Sequence, residues 1–180
     1  VKPYAVVVAT GGNGVMPSSF SGANVHSVTD VLSGKIDIEN KNVVVIGSGM
    51  TGLETSELLV SKNNSVSIVE MANEIAPGAW FQSKDDVIPK LEKNNTQFLV
   101  SHKLESVNEN GVVLTDLINK KTVNIKCDEI VLSMGVKPDS KLYNEIKESV
   151  KNCYHIGDCA SVGRIANATE SAYQVATAIE

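Results

Sequence analysis

Gly47-Ser48-Gly49-Met50-Thr51-Gly52 sets three glycines at the spacing G-x-G-x-x-G. The apolar run Val43-Val44-Val45-Ile46 precedes them, and a stretch of helical periodicity follows over roughly 50–62. A second apolar run, Ser65 to Glu70, then ends in a carboxylate. Its distance from the glycines is close to the ~20 residues of a dinucleotide-binding βαβ unit. Each residue type has a physical reason. Gly47 allows the tight turn out of the strand. Gly49 has no Cβ, so a pyrophosphate can reach the backbone. Gly52 lets helix and strand pack closely. Ser48, Met50 and Thr51 complete the loop and first helical turn, whose unpaired amides and positive dipole end face the phosphates. Glu70 would accept hydrogen bonds from the adenosine ribose and repel a 2′-phosphate, favouring NADH over NADPH. The plainer reading is a glycine turn with a solvated Glu70. Glu54 reads either as a carboxylate favoured by the helix dipole or as a group near the redox-active end of the dinucleotide.

Composition narrows the alternatives. The chain has 180 residues, a net charge of −5 and 42% apolar residues, with a pI near 5.3. Such a chain predicts a packed globular protein, of α/β class from its alternating strand and helix elements, and a poor nucleic-acid partner, since nonspecific affinity needs clustered Lys and Arg. No apolar run approaches the ~18 residues that span a bilayer, and the start Val-Lys-Pro-Tyr does not resemble a signal peptide. A cytoplasmic protein without membrane contact is the expectation. Cys127, Cys153 and Cys159 form no C-x-x-C pair, which predicts reduced thiols and no metal site. His26, His102 and His155 stand alone in the sequence, and no general acid, base or other catalytic side chain is assigned.

The supporting elements alternate. Residues 4–9 read as a buried strand and 11–14 as a loop. A short helix is expected within 25–34, and strands at 42–47 and 65–70 flank the helix at 50–62. A helix over 84–93 carries Pro89, which weakens or kinks it. Four short strands follow at 97–100, 104–107, 112–117 and 122–126, with turns at Asn108-Glu109-Asn110-Gly111 and Asn119-Lys120. A strand at 129–134, a helix within 140–150, a strand at 154–157 and a final helix complete the chain. Asn167 and Glu170 stand where an N-cap and its N3 partner would. The first strand lacks a preceding neighbour and the last helix runs to Glu180 without a stop. Both ends therefore predict a piece of a longer polypeptide.

Two further short motifs end strands: Ala9-Thr10-Gly11-Gly12 and Ile156-Gly157-Asp158. Together with Asp30 to Lys35, Asn42 to Glu57, Val69-Glu70-Met71, Glu74-Ile75-Ala76, Gly135 to Asp139 and Ala168-Thr169-Glu170, they make the chain resemble the pyridine nucleotide-disulfide oxidoreductase superfamily. More narrowly, it resembles the C-terminal region of the 2-enoate reductase, 2,4-dienoyl-CoA reductase and NADH:flavin oxidoreductase enzymes. The resemblance implies a Rossmann-like NAD(P)-binding domain with an antiparallel β insert, itself inserted in an incomplete FAD-binding domain. Residues 24–137 would bind NADH, and 1–23 with 138–180 would form the FAD side. Thr10, Gly11, Gly157 and Asp158 would contact FAD, with Asp158 on the ribityl chain. Ala168 and Thr169 would open a helix toward the flavin, Gly135 would lie beside the bound NADH, and Glu54 would face the nicotinamide pocket.

The implied activity is that of an electron-input module, binding NADH and passing hydride to FAD. An FMN barrel, an iron–sulfur cluster and the first FAD-binding segment would belong to the parent polypeptide outside this chain. Little turnover and poor FAD retention are expected in isolation. The alternative is a structural domain holding ADP or another adenine nucleotide without hydride transfer. A methyltransferase also uses a glycine loop followed by an acidic residue, but the motifs at Thr10-Gly11 and Gly157-Asp158 speak against it.

Overall fold

In the computed structural model, which describes residues 2–179, the chain divides into two compact units. One comprises residues 15–135, and the other joins the residues up to Gly14 with those from Val136 onward. The sequence-based expectation differs, with boundaries at 23/24 and 137/138. The anticipated reach of the last helix to Glu180, and the opening Val1, lie outside the described residues.

The strands are β1 (Val6–Val8), β2 (Gly12–Gly14), β3 (Val25–Ser27), β4 (Asn42–Ile46), β5 (Ser65–Val69) and β6 (Gln97–Leu99). They continue as β7 (His102–Asn108), β8 (Gly111–Asp116), β9 (Lys121–Lys126), β10 (Glu129–Leu132), β11 (Val136–Pro138) and β12 (Cys153–His155). The helices are α1 (Val28–Leu32), α2 (Met50–Ser61), α3 (Phe81–Lys93), α4 (Lys141–Ile146) and α5 (Ile165–Ala178).

The larger unit is built in three layers. Its central sheet is parallel, in the order β3-β10-β4-β5-β6. The run Val43-Val44-Val45-Ile46 is buried along its whole length because both of its faces are covered. Val43 and Val45 pack with Leu53, Leu59, Val87 and Leu91 on the helical side. Val44 and Ile46 face Leu104, Val112 and Leu114 of the antiparallel sheet β7-β8-β9. Leu53 and Leu59 have no solvent exposure, and burying such a side chain contributes about 1.5–3 kcal/mol. The hairpin between β7 and β8 turns where Asn-Gly predicted it. A Cβ on Gly111 would come 2.0 Å from the Ile125 carbonyl oxygen, so glycine is required there for close approach.

In the smaller unit β1 pairs in parallel with β12, and β2 pairs antiparallel with β11. The expected loop at 11–14 is therefore partly a strand. Its partner, Val136–Pro138, is too distant in sequence for local pattern to reveal. Val25–Ser27 is likewise a strand beside β10, and the short helix begins only at Val28, with the Ser27 hydroxyl capping the Asp30 amide. Helix α3 starts earlier than expected, at Phe81, and Pro89 is accommodated inside it. The last helix also starts earlier. Arg164 is its N-cap, and Asn167 is the N3 residue whose Oδ1 accepts from the Arg164 amide at 2.9 Å. Asn167 thus supplies the reciprocal half of the cap and is not the cap itself.

Candidate functional site

Strand register brings the loop ends together. Ile46 is paired with Val69 on one side and Leu132 on the other. Gly47, Glu70 and Ser133 therefore emerge side by side at the carboxyl edge of the sheet, where parallel α/β sheets bind ligands. The ladder runs on through the Gly47 amide to the Val69 carbonyl (2.8 Å) and the Ser133 amide to the Ile46 carbonyl (2.8 Å). A crevice of about 380 Å³ opens over this edge. Gly47, Gly49, Val69, Glu70 and Met71 line it, together with Phe20, Ile46, His102, Lys103, Leu104, Ser133 and Met134.

The three motif glycines do different work. Gly47 has φ +101, and a Cβ there would lie 2.2 Å from the Ser133 carbonyl oxygen. A Cβ on Gly52 would lie 2.1 Å from the Gly47 carbonyl oxygen. Both are demanded by the fold. Gly49 is not. Its φ is −53, open to any residue, and nothing lies within 4 Å of where its Cβ would stand. That empty volume sits at the N-cap of α2, where no side chain caps the helix and no acidic residue occupies the first turn. Unpaired amides and the helix dipole are thereby left facing the crevice, the usual arrangement for an anion.

Glu70 stands at the rim of this crevice. Its Oε2 accepts from the Ser48 amide (3.0 Å) and the Ser48 hydroxyl (2.7 Å), and its Oε1 accepts from the Ala72 amide (2.8 Å). Burial pushes the carboxyl up, but bonds from the Ala72 and Ser48 amides, the Ser48 hydroxyl and the Met71 amide outweigh it. The net effect holds Glu70 below its ordinary value and ionised at neutral pH.

Other expected site residues fall around this group. Ser48 is fully buried beneath the crevice. Met50 packs partly against the helical core, and Thr51 is exposed at the start of α2. Glu54 is exposed on α2 and does not line the crevice. Gly135, at φ +89, follows the lining residues Ser133 and Met134 with open space around it. Phe20, His102 and Lys103 were not expected at the site. The pairing of β6 with β5, and the His102 amide donating to the Glu70 carbonyl (2.9 Å), put the latter two there. The histidines, alone in sequence, have partners in space. His26 meets Glu129 at 2.8 Å, His102 Nδ1 lies 2.6 Å from the Val100 carbonyl oxygen, and His155 stacks on Tyr143.

The smaller unit has its own crevice of about 370 Å³, lined by Ala9, Gly11, Gly157, Asp158, Arg164 and Ala168 among others. Gly11, Gly157, Asp158 and Ala168 thus share one site. The Asp158 Oδ1 accepts from the Gly163 amide (3.1 Å). Thr10 and Thr169 are committed elsewhere. The Thr10 hydroxyl donates to the Asp139 carbonyl (2.9 Å), and the Thr169 hydroxyl turns back on the Ile165 and Ala166 carbonyls. Among the described residues no group of His, Cys, Asp and Glu could hold a metal ion, and no helix is long and apolar enough to cross a membrane.

Comparison with known proteins identifies the family. A family model described as pyridine nucleotide-disulphide oxidoreductase matches residues 2–176. Bilirubin reductase of Mediterraneibacter gnavus is 30% identical over 182 residues, covering 99% of this chain and 28% of that protein. NADH oxidase of Thermoanaerobacter brockii is 31% identical over 186 residues, covering 98% of this chain and 28% of that protein. Among solved structures, a 2-naphthoyl-CoA reductase in complex with 2-naphthoyl-CoA superposes with a TM-score of 0.86 at 25% identity, covering 97% of this chain and 26% of that one. The chain spans little more than a quarter of the length of these relatives.

Proposed function

This chain belongs to the pyridine nucleotide-disulphide oxidoreductase family, and from that premise we propose that it is the NADH-binding, electron-input part of a larger flavin-dependent reductase. The observation that carries the reading is the space at Gly49. The fold leaves that position free for any residue, yet glycine occupies it beside uncapped helix amides. A diphosphate reaching those amides is what a side chain would block. Glu70, ionised at the rim, would take the adenosine ribose, with the apolar walls at Phe20, Ile46 and Leu104 around the adenosine half.

In the smaller unit, Gly11, Gly157, Asp158 and the start of α5 would hold part of FAD. When bound, the two cofactors supply the redox step, hydride from nicotinamide C4 to flavin N5. The residues of this chain bind, orient and set charge; none is asked to act as nucleophile, acid or base. The branch of the family with enoate- and dienoyl-type reductases is favoured by the similarity to bilirubin reductase and to the 2-naphthoyl-CoA reductase structure. An FMN barrel and an iron–sulfur cluster would then belong to the remainder of the parent polypeptide.

Titration of the purified chain with NADH and ADP tests the binding step; the proposal expects both to bind and Gly49→Val to abolish both. Stopped-flow mixing of the intact parent protein with NADH tests transfer. Prompt bleaching of the flavin supports the electron-input role. Binding of ADP with a flavin that stays oxidised under NADH would reduce this region to a nucleotide holder.

A further inference from the structure

Ser48 occupies a position that the glycine pattern leaves open to any residue, yet its side chain is fully buried and fully used. The hydroxyl donates to Glu70 Oε2 at 2.7 Å and accepts from the Ala76 amide at 2.9 Å. The Ser48 amide adds a second bond to the same carboxylate oxygen at 3.0 Å. With the Ala72 amide on Oε1 at 2.8 Å, both carboxylate oxygens are bonded to protein. Ala76 is itself buried at φ +49, so the segment after Glu70 is tied to the glycine loop through this one hydroxyl.

We infer that Ser48 is a specificity-determining positioning residue, which holds the Glu70 carboxylate immobile at the crevice rim so that a phosphate on the adenosine ribose meets a negative charge that cannot swing aside. The inference rests on the dinucleotide reading given above. Its physical content is a distinction between charge and fixed charge. A glutamate on a free side chain turns away from an incoming phosphate and loses much of the repulsion to solvent screening. A glutamate held on both oxygens keeps its position and its charge. Ser48 touches no ligand, because its side chain has no exposure; it acts through Glu70.

The test compares NADH and NADPH affinities, by fluorescence titration of the purified chain, in the wild type and in Ser48→Ala, Ser48→Cys and Glu70→Gln. In the wild type NADH binds more tightly. Ser48→Ala should lower the NADH-to-NADPH preference by about fivefold or more, the effect of losing one charge-assisted hydrogen bond. The change should come from tighter NADPH with NADH nearly constant, which a general loosening of the fold would not produce. Ser48→Cys, close in volume and a weaker donor, should give an intermediate ratio, and it carries the decision if Ser48→Ala does not fold. An unchanged ratio in Ser48→Cys and Ser48→Ala, while Glu70→Gln loses the preference, overturns the role of Ser48 and leaves the dinucleotide site standing. Equal weakening of both ligands in the Ser48 variants overturns it as well. A wild type that binds neither dinucleotide overturns the site reading and this inference together.

Discussion

Replacing Gly49 with alanine separates what the fold needs from what a ligand needs. The backbone there has φ −53 and ψ 165, and no atom lies within 4 Å of the new methyl group. The cost to folding is only the poorer N-cap, about 0.5–1 kcal/mol. For a chain of 180 residues that lowers the melting temperature by about 1–4 °C. The cost to binding is larger. The methyl would stand between the helix amides and a diphosphate. Losing two charge-assisted bonds of about 1.5–3 kcal/mol each amounts to about 3–6 kcal/mol, a hundredfold or more in Kd. Gly52→Ala is the contrasting control. Its Cβ would lie 2.1 Å from a backbone oxygen, so it should damage stability first and binding only as a consequence. Calorimetric melting with titration of NADH and ADP reads both quantities for each variant. If Gly49→Ala melts near the wild type and binds within about threefold of it, less than 1 kcal/mol, the phosphate is not held at α2 and the reasoning is refuted.

Three further outcomes are expected. Because the folded-state pKa of Glu70 is depressed below 4.5, its contribution to stability is complete above that value and fades as pH falls through the lower folded-state pKa; melting curves of wild type and Glu70→Gln should therefore converge in acid, and a gap that stays constant below pH 4.5 would contradict the assignment. The Cys127 thiol is pushed up to about 11, mainly by burial and then by Asp128, so it should resist alkylation at pH 8 in the native protein and react after denaturation, as mass spectrometry of the labelled peptide would read. Gly111→Ala, whose Cβ would meet the Ile125 carbonyl oxygen at 2.0 Å from a backbone at φ +139, should destabilise the β8–β9 pairing by about 1–3 kcal/mol, and a denaturation midpoint equal to the wild type's would show that the hairpin is not held this tightly.

Where interactions are local, the residues announce the structure. The β-branched run at 43–46, the glycines that follow and the helical periodicity of 50–61 are contiguous, and the existence of strand, turn and helix follows from spacing alone. The turn at 108–111 is similarly short-range. The misplaced elements have partners far along the chain. Gly12–Gly14 is a strand because it lies against Val136–Pro138, and Val25–Ser27 because it lies against Ile130–Leu132. Neither segment has side chains that would mark it as a strand by itself. The cap of α5 is a subtler case, since Asn167 has the right chemistry for a cap but serves at N3. Pattern put the cap three residues too late, and only geometry showed that Arg164 is the N-cap with Asn167 bonding back to it.

Residue types and spacing by themselves determined the chemistry of the site: a glycine turn into a helix, and an acidic residue at the end of the next strand. These are legible because turn, helix and acidic residue all fall within one contiguous stretch, 47–70. Tertiary structure decided the rest. It made Gly47 and Gly52 steric necessities and left Gly49 with space. It also brought His102 and Lys103 to the crevice from a strand beyond the motif, and it joined Ser48, Glu70 and Ala76 through one buried hydroxyl. Apart from the contact of Gly52 with Gly47, those relations arise from atoms separated by tens of residues, whose distances are set by how the strands pack. No local pattern in the sequence carries that packing.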